Sequence, residues 1–189
     1  MILPIVAYGN SVLREKAKEV ELDLVYIKKL VEDMFDTLSC AQGVGLAAPQ
    51  IGKSERVFIV DSSLFAQEGD KDYDLLKNFK EIFINPVITK EYGDEWAFDE
   101  GCLSIPDIVE KVYRKDSLEI EYYNLNLEKQ KKVYTGLLAR IIQHEYDHIE
   151  GILFIDKLSP LKRRLLKGSL NRIMNGKISP PYKMTFHKK

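Results

Sequence analysis

In QHEYDHIEG, residues 143–151, His144 and His148 stand four apart and Glu145 follows the first of them. On a helix, residues four apart lie one turn above each other, so the two imidazoles point at a common spot. Two neutral imidazoles so placed can hold a divalent cation, and Glu145, one position round, reaches a water on it without ligating it. The competing reading is a pair of satisfied core histidines, because Leu137 and Ile141 continue the same apolar stripe. The chain has only three histidines, and two of them fall in an H-E-x-x-H arrangement at the end of such a stripe, which favours the metal.

A catalytic cation takes three protein ligands and keeps a position open for water. Metallopeptidases with this motif draw the third ligand from downstream. In an H-x-x-G-x-x-H continuation Gly151 fits, but Phe154 stands where the ligand belongs; past Glu150, which is too close in sequence, the only acid is Asp156. Upstream, DEGCLSIPD at 99–107 offers Cys102 beside Gly101, whose lack of a side chain lets the backbone approach closely. A thiolate is a strong ligand for zinc or ferrous iron, and a bound metal keeps it deprotonated. Alone, Cys102 reads as a small core residue; beside histidines that lack a downstream ligand, it reads as the third donor.

These residues need elements to hold them. The pattern predicts a helix over GLLARIIQHEYDHIE, with Thr135 as cap and Gly151 as terminator. An earlier helix over 24–40 follows from Ile27, Leu30, Val31, Met34 and Leu38, with Asp23 at its start and Gly43 after its end. GVGLAAPQIG, 43–52, reads as irregular backbone that approaches something closely, and leads into a buried strand at 56–61. Residues 62–80 lack a period and read as a long surface insertion. Further strands are expected at 81–90, interrupted at Pro86, at 112–126 and at 129–136. A C-terminal helix carries Leu161, Leu165, Leu166, Leu170, Ile173 and Met174 at helical spacing, and 177–189 reads as an extended tail. The fold class is α+β: mixed, largely antiparallel sheets packed around the central histidine-bearing helix, with one helix before it and one after.

The 189 residues, 45% apolar and 30% charged, suit one globular domain spanning 1–189. The opening MILPIVAYGN has no basic start and Pro4 interrupts its short apolar run, and no stretch is long enough to span a membrane, so a cytoplasmic protein is expected. Two cysteines, Cys40 and Cys102, are expected to stay reduced there. Of 28 Lys and Arg, ten fall in 157–189, which holds none of the 29 acids. A basic helix and tail on an acidic body permits contact with an anionic surface, although a solvated helix face explains the same pattern.

Three stretches, GVGLAAPQ at 43–50, EGCLS at 100–104 and QHEYDH at 143–148, together resemble in order and spacing the three motifs of peptide deformylases. The resemblance covers about residues 1–160. It implies removal of the formyl group from the N-terminal formylmethionine of nascent polypeptides, with Cys102, His144 and His148 holding one divalent metal ion. Fe(2+) is the ion expected in the cell, with Zn(2+), Ni(2+) or Co(2+) as substitutes. It further implies attack on the formyl carbon by metal-bound hydroxide, Glu145 as general base and then acid, and Gln50 and the backbone N–H of Leu103 as donors to the developing oxyanion. Gly45 matches a position whose backbone runs beside the peptide. Val44, Leu137 and Ile141 are expected to wall an apolar pocket for the methionine side chain. In some members a basic C-terminal helix contacts the ribosome, which the ten cations here would suit. A monomer is expected. Asp107 departs from the small residues common after Pro106, and 62–80 is longer than in compact members.

Three other readings remain at this level. Cys40 could close a structural zinc site as a fourth ligand; the same chemistry could cut internal amide bonds; or Cys102 could act as a nucleophile with a histidine base. The last leaves Glu145 and the second histidine without roles.

Overall fold

The computed structural model describes residues 1–69 and 72–186. Helix α1 (Leu24–Ala41) starts where the Asp23 carboxylate accepts the N–H groups of Val25 and Tyr26, and ends where Gln42 turns left-handed at φ 53°. Its stripe of Ile27, Leu30, Val31, Met34 and Leu38 is buried, as the period predicts.

That stripe packs on one antiparallel sheet of five strands, ordered β2 (Gly45–Ala47), β3 (Val57–Asp61), β4 (Lys80–Cys102), β5 (Ile105–Tyr123) and β6 (Lys129–Thr135). A second, two-stranded sheet pairs β1 (Ile5–Val6) in parallel with β7 (Met184–Thr185). The architecture is α+β with largely antiparallel sheets, as expected. The segment 43–52 is not simply irregular: it forms β2 and a 3-10 turn over Ala48–Ile51.

Strands β4 and β5 form a hairpin far longer than the expected 81–90 and 112–126, paired from Ile84 with Tyr123 to Cys102 with Ile105. Its outer arm is charged, largely exposed and broken by register shifts, so no period-2 signal marks it. The interruption expected at Pro86 is one of those shifts, between Ile84 and Val87, where a missing N–H costs no ladder bond. Asn85 beside it is left-handed at φ 47°, and its side-chain amide pairs with both the N–H and the C=O of Val20, at 2.9 Å each.

Residues 62–80 are more ordered than an insertion. They hold a 3-10 turn over Ser62–Phe65 and the short helix α2 (Tyr73–Lys77), anchored by buried Leu76; positions 70 and 71 lie outside the described residues.

Helix α3 (Gly136–Ile149) lies across the sheet, with Leu138, Ala139, Ile142 and Ile149 packed against Phe58, Phe83, Leu118 and Ile120. Each fully buried aliphatic side chain there contributes about 1.5–3 kcal/mol. Thr135 occupies the cap position but makes no side-chain cap bond, contrary to expectation. Gly151 does end the helix, at φ 73°, and a Cβ on it would meet the Arg14 carbonyl carbon at 2.8 Å.

Helix α4 (Pro160–Met174) is capped by the Ser159 hydroxyl accepting the Lys162 N–H. Only the C-terminal half of its expected stripe is buried: Leu170 and Ile173 are inside, whereas Leu161 and Leu165 are 68% and 74% exposed. The tail is docked rather than free, since Ile178, Met184 and Phe186 pack against a core that includes Val6, Leu13 and Ile173; residues 187–189 lie outside the described ones. Among the described residues no helix is long and apolar enough to cross a membrane.

Candidate metal centre

Two elements carry the three donors. Cys102 is the last residue of β4, at the tip of the long hairpin, where Leu103 and Ser104 form the turn into β5. His144 and His148 lie on successive turns of α3, their ring centroids 5.1 Å apart. One ligand atom from each of Cys102, His144 and His148 lies within 4.8 Å of the others, and Cys102 Sγ is 3.2 Å from His148 Nε2.

The histidines are unequally held. His144 Nδ1 is 3.0 Å from Glu100 Oε2, which frees its Nε2 for the cluster, the usual carboxylate support of a metal-ligating imidazole. His148 is 1% exposed and its Nδ1 has no partner among the described residues. Burial, and then the charges of His144 and Arg114, hold His148 well below its ordinary pKa, favouring the neutral form that ligates. For His144 burial acts the same way, but hydrogen bonds to Cys102 and Glu100 outweigh it and raise the pKa. A cation taking that nitrogen must therefore displace a proton.

Glu100 sits at the centre of a buried ion cluster. It accepts Arg114 Nε at 2.7 Å, Arg114 Nη2 at 2.9 Å and Arg140 Nη1 at 2.9 Å, and Arg114 Nη1 continues to Asp147 at 2.6 Å. Burial pushes the Glu100 carboxyl up, but the bonds from His144 and Arg114 prevail and hold it well below the usual carboxylate range. The cluster ties both strands of the hairpin to α3, fixing the cysteine-bearing element against the histidine-bearing one.

Glu145 is 4% exposed and its Oε2 makes no protein hydrogen bond among the described residues. Burial pushes this carboxyl up to about 7, with His144 and Arg114 pulling against it. It faces a cleft of about 410 Å³ that is also bordered by Val44, Gly45, Gln50, Leu103 and Ile141. Gln50 is oriented from both ends: its Oε1 accepts the Ala47 N–H at 2.8 Å, and its Nε2 points to Cys102 Sγ at 3.5 Å and Ser104 Oγ at 3.4 Å. Leu137, expected as a wall, is not among the lining residues; it packs against the core between α3 and the sheet.

The donor set fits a divalent cation, one thiolate sulfur and two imidazoles, in a buried and polar-supported pocket. Cys40 is exposed at the end of α1 and outside the group, so the described residues supply three donors, the open set of a catalytic site. Sequence reasoning missed Glu100 and Arg114. Glu100 had a signal, because two residues before Cys102 on a strand is the same face; Arg114 had none, since strand register brings it in.

Comparison with known proteins agrees with this geometry. Residues 2–164 match the family model for polypeptide deformylase. A curated peptide deformylase of Christiangramia forsetii is 52% identical over 98% of this chain and 96% of its own length, and one of Salinibacter ruber 39% identical over 96% and 93%. Among solved structures, a peptide deformylase from Legionella pneumophila superposes with a TM-score of 0.78 at 36% identity, covering 94% of this chain and 98% of its own. One from Plasmodium falciparum gives 0.79 at 34%, covering 91% and 95%. With sequence and fold matched over nearly the whole length, this chain belongs to the polypeptide deformylase family.

Proposed function

We propose that this protein hydrolyses the formyl group from the N-terminal formylmethionine of nascent polypeptides in the cytoplasm, releasing formate. The observation that carries the reading is a buried Glu145 carboxylate, its Oε2 without a partner among the described residues, beside three convergent metal donors at one open cleft. Cys102, His144 and His148 hold the ion. When bound, a divalent cation lowers the pKa of water and polarises a carbonyl oxygen. Glu145 removes the proton of the attacking water and delivers it to the amine nitrogen as the C–N bond breaks, acting first as base and then as acid. Gln50 Nε2 and the Leu103 N–H donate to the oxygen on which charge develops. The main chain at Gly45 runs beside the peptide, and Val44 and Ile141 wall the methionine side chain.

Ferrous iron is the ion we assign, supported by the pairing of a soft thiolate with two imidazoles, a set that zinc, nickel and cobalt also satisfy. The exposed Arg163, Arg164, Lys167 and Arg172 of α4 support a ribosome contact through that helix. Anaerobic purification with metal quantification, followed by formate release from a formyl-methionyl tripeptide, tests the whole reading. Formate is expected from the formylated peptide and no comparable release of acetate from its N-acetylated counterpart, and no formate from fully metallated protein would refute it.

Gly45 gives a sharper check on Glu145. A Cβ at this position would lie 2.7 Å from both Cγ and Cδ of Glu145, so alanine must push the carboxylate aside. Gly45→Ala is expected to lower kcat about 10- to 100-fold, since a base displaced by about 1 Å loses its reaction geometry. Steady-state formate release would show this, with metal content unchanged.

A further inference from the structure

The C-terminal tail reaches the cleft. Pro180, Pro181 and Tyr182 line it together with Cys102, His144 and Glu145, and the Tyr182 hydroxyl donates to the Leu103 carbonyl at 2.9 Å, across 79 residues of sequence. Three separate restraints hold the tail there. Gly176 reverses the chain after α4 at φ 66°, and a Cβ on it would meet the Phe186 ring at 3.3 Å. Ile178, Met184 and Phe186 pack into the core beside the N-terminal segment. The parallel pairing of β1 with β7 adds main-chain bonds from Ile5 N–H to Lys183 and from Ala7 N–H to Thr185, each 2.9 Å. Tyr182 is therefore ordered by the fold before it makes its own bond, so that bond costs little further conformational entropy.

The target of that bond is the turn that follows the ligand cysteine. Leu103 and Ser104 alone separate Cys102 from its strand partner Ile105. The Ser104 carbonyl accepts the Tyr8 N–H at 2.9 Å, and its hydroxyl accepts Gln50 Nε2 at 3.4 Å. Planarity ties the Leu103 carbonyl to the Ser104 N–H; the Leu103 N–H belongs to the preceding peptide unit, between that held carbonyl and Cys102, which is paired with Ile105, so only the φ and ψ of Leu103 are left to aim it.

We propose that Tyr182 is a positioning residue that sets the Leu103 main chain toward the reacting oxygen, and that Pro180, Pro181 and Tyr182 wall the peptide substrate on that side of the cleft. This rests on the deformylase reading of the site. Tyr182→Phe removes only the hydroxyl. It is expected to lower kcat about fivefold, equivalent to about 1 kcal/mol of barrier, with KM within about twofold. Tyr182→Ala also removes the ring, and is expected to raise KM for a formyl-methionyl tripeptide and Kd for the unformylated methionyl tripeptide, each by about fivefold.

A purely architectural role for the tail would lower Tm without moving these parameters, measured well below Tm in metal-matched samples. Wild-type kcat in Tyr182→Phe would overturn the positioning role, and unchanged KM and Kd in Tyr182→Ala would overturn the wall. Absence of formate from metallated wild type would overturn the deformylase reading and the positioning role together. The methionyl-peptide Kd would still decide the wall, so the two failures are told apart.

Discussion

Glu145→Gln is expected to keep the fold and the bound cation while kcat for formate release falls about 10²- to 10⁴-fold, with KM changed only a few-fold. The substitution preserves shape and removes the one group able to exchange a proton with the attacking water. Glu145 is not one of the three convergent donors, so metal content should match wild type. Its carboxyl is buried and pushed up to about 7, so over the range from ordinary carboxylate values to about 7 the folded state binds the more protons. Stability contributed by the protonated form is therefore lost as pH rises through about 7. The glutamine variant, with no charge to bury, should be at least as stable as wild type at neutral pH. A base must be ionised to act, so the wild-type rate should climb with pH as Glu145 loses its proton, and the residual rate of the variant should lack that limb. Retained turnover in fully metallated Glu145→Gln would place the base elsewhere. Loss of the metal would instead make Glu145 a ligand.

The candidate metal centre was unusually legible in the sequence because its residues sit at fixed offsets on single elements. His144, Glu145 and His148 need only one helix to converge, and Cys102 was reached because Phe154 stands at the expected ligand position and Asp156 is the only acid past Glu150. The fold brings these together at the junction of one hairpin tip and one helix. The supporting residues were less visible. Arg114 reaches Glu100 through a pairing register that no local pattern announces, in a hairpin arm whose exposed charges hide its strand character. Tyr182 depends on a chain reversal at Gly176 and on pairing with the opposite end of the chain, both non-local. Leu137 keeps its helical spacing from Ile141 and packs against the same core cluster, but only Ile141 also borders the cleft.

The difference between the two classes of residue is energetic as well as informational. The exposed pair of Lys29 with Glu32, 56% and 64% exposed at 3.2 Å, is screened by water and could be lost with little consequence. The cluster of Glu100, Arg114, Arg140 and Asp147 is buried beside the metal donors, and there the loss of one partner strands the others.

Arg114→Met is the substitution that exposes this. The side chain is 3% exposed and bonds Glu100 twice and Asp147 once, so methionine leaves two carboxylates in the interior without their main counter-charge. Arg140 still meets Glu100 and Lys157 still meets Asp147 at 3.2 Å, which caps the damage. The expected cost is about 3–5 kcal/mol, or roughly 6–20 °C in Tm for a chain of this size. The sign of the pH dependence follows from Glu100, whose pKa is lowered in the fold. Its contribution is present above the ordinary carboxylate range and is lost as pH falls below it, so wild type should lose stability more steeply than the variant as pH falls below about 4.3. Because Glu100 also supports His144, metal affinity should fall about 10- to 100-fold, read by competition with a chelator. Arg114→Lys should recover little, since a single ammonium cannot reproduce two bonds to one carboxylate and a third to another. Arg114→Met with wild-type Tm and metal affinity would show that the hairpin and α3 are held together by apolar packing alone, and that the buried charges are incidental to the site.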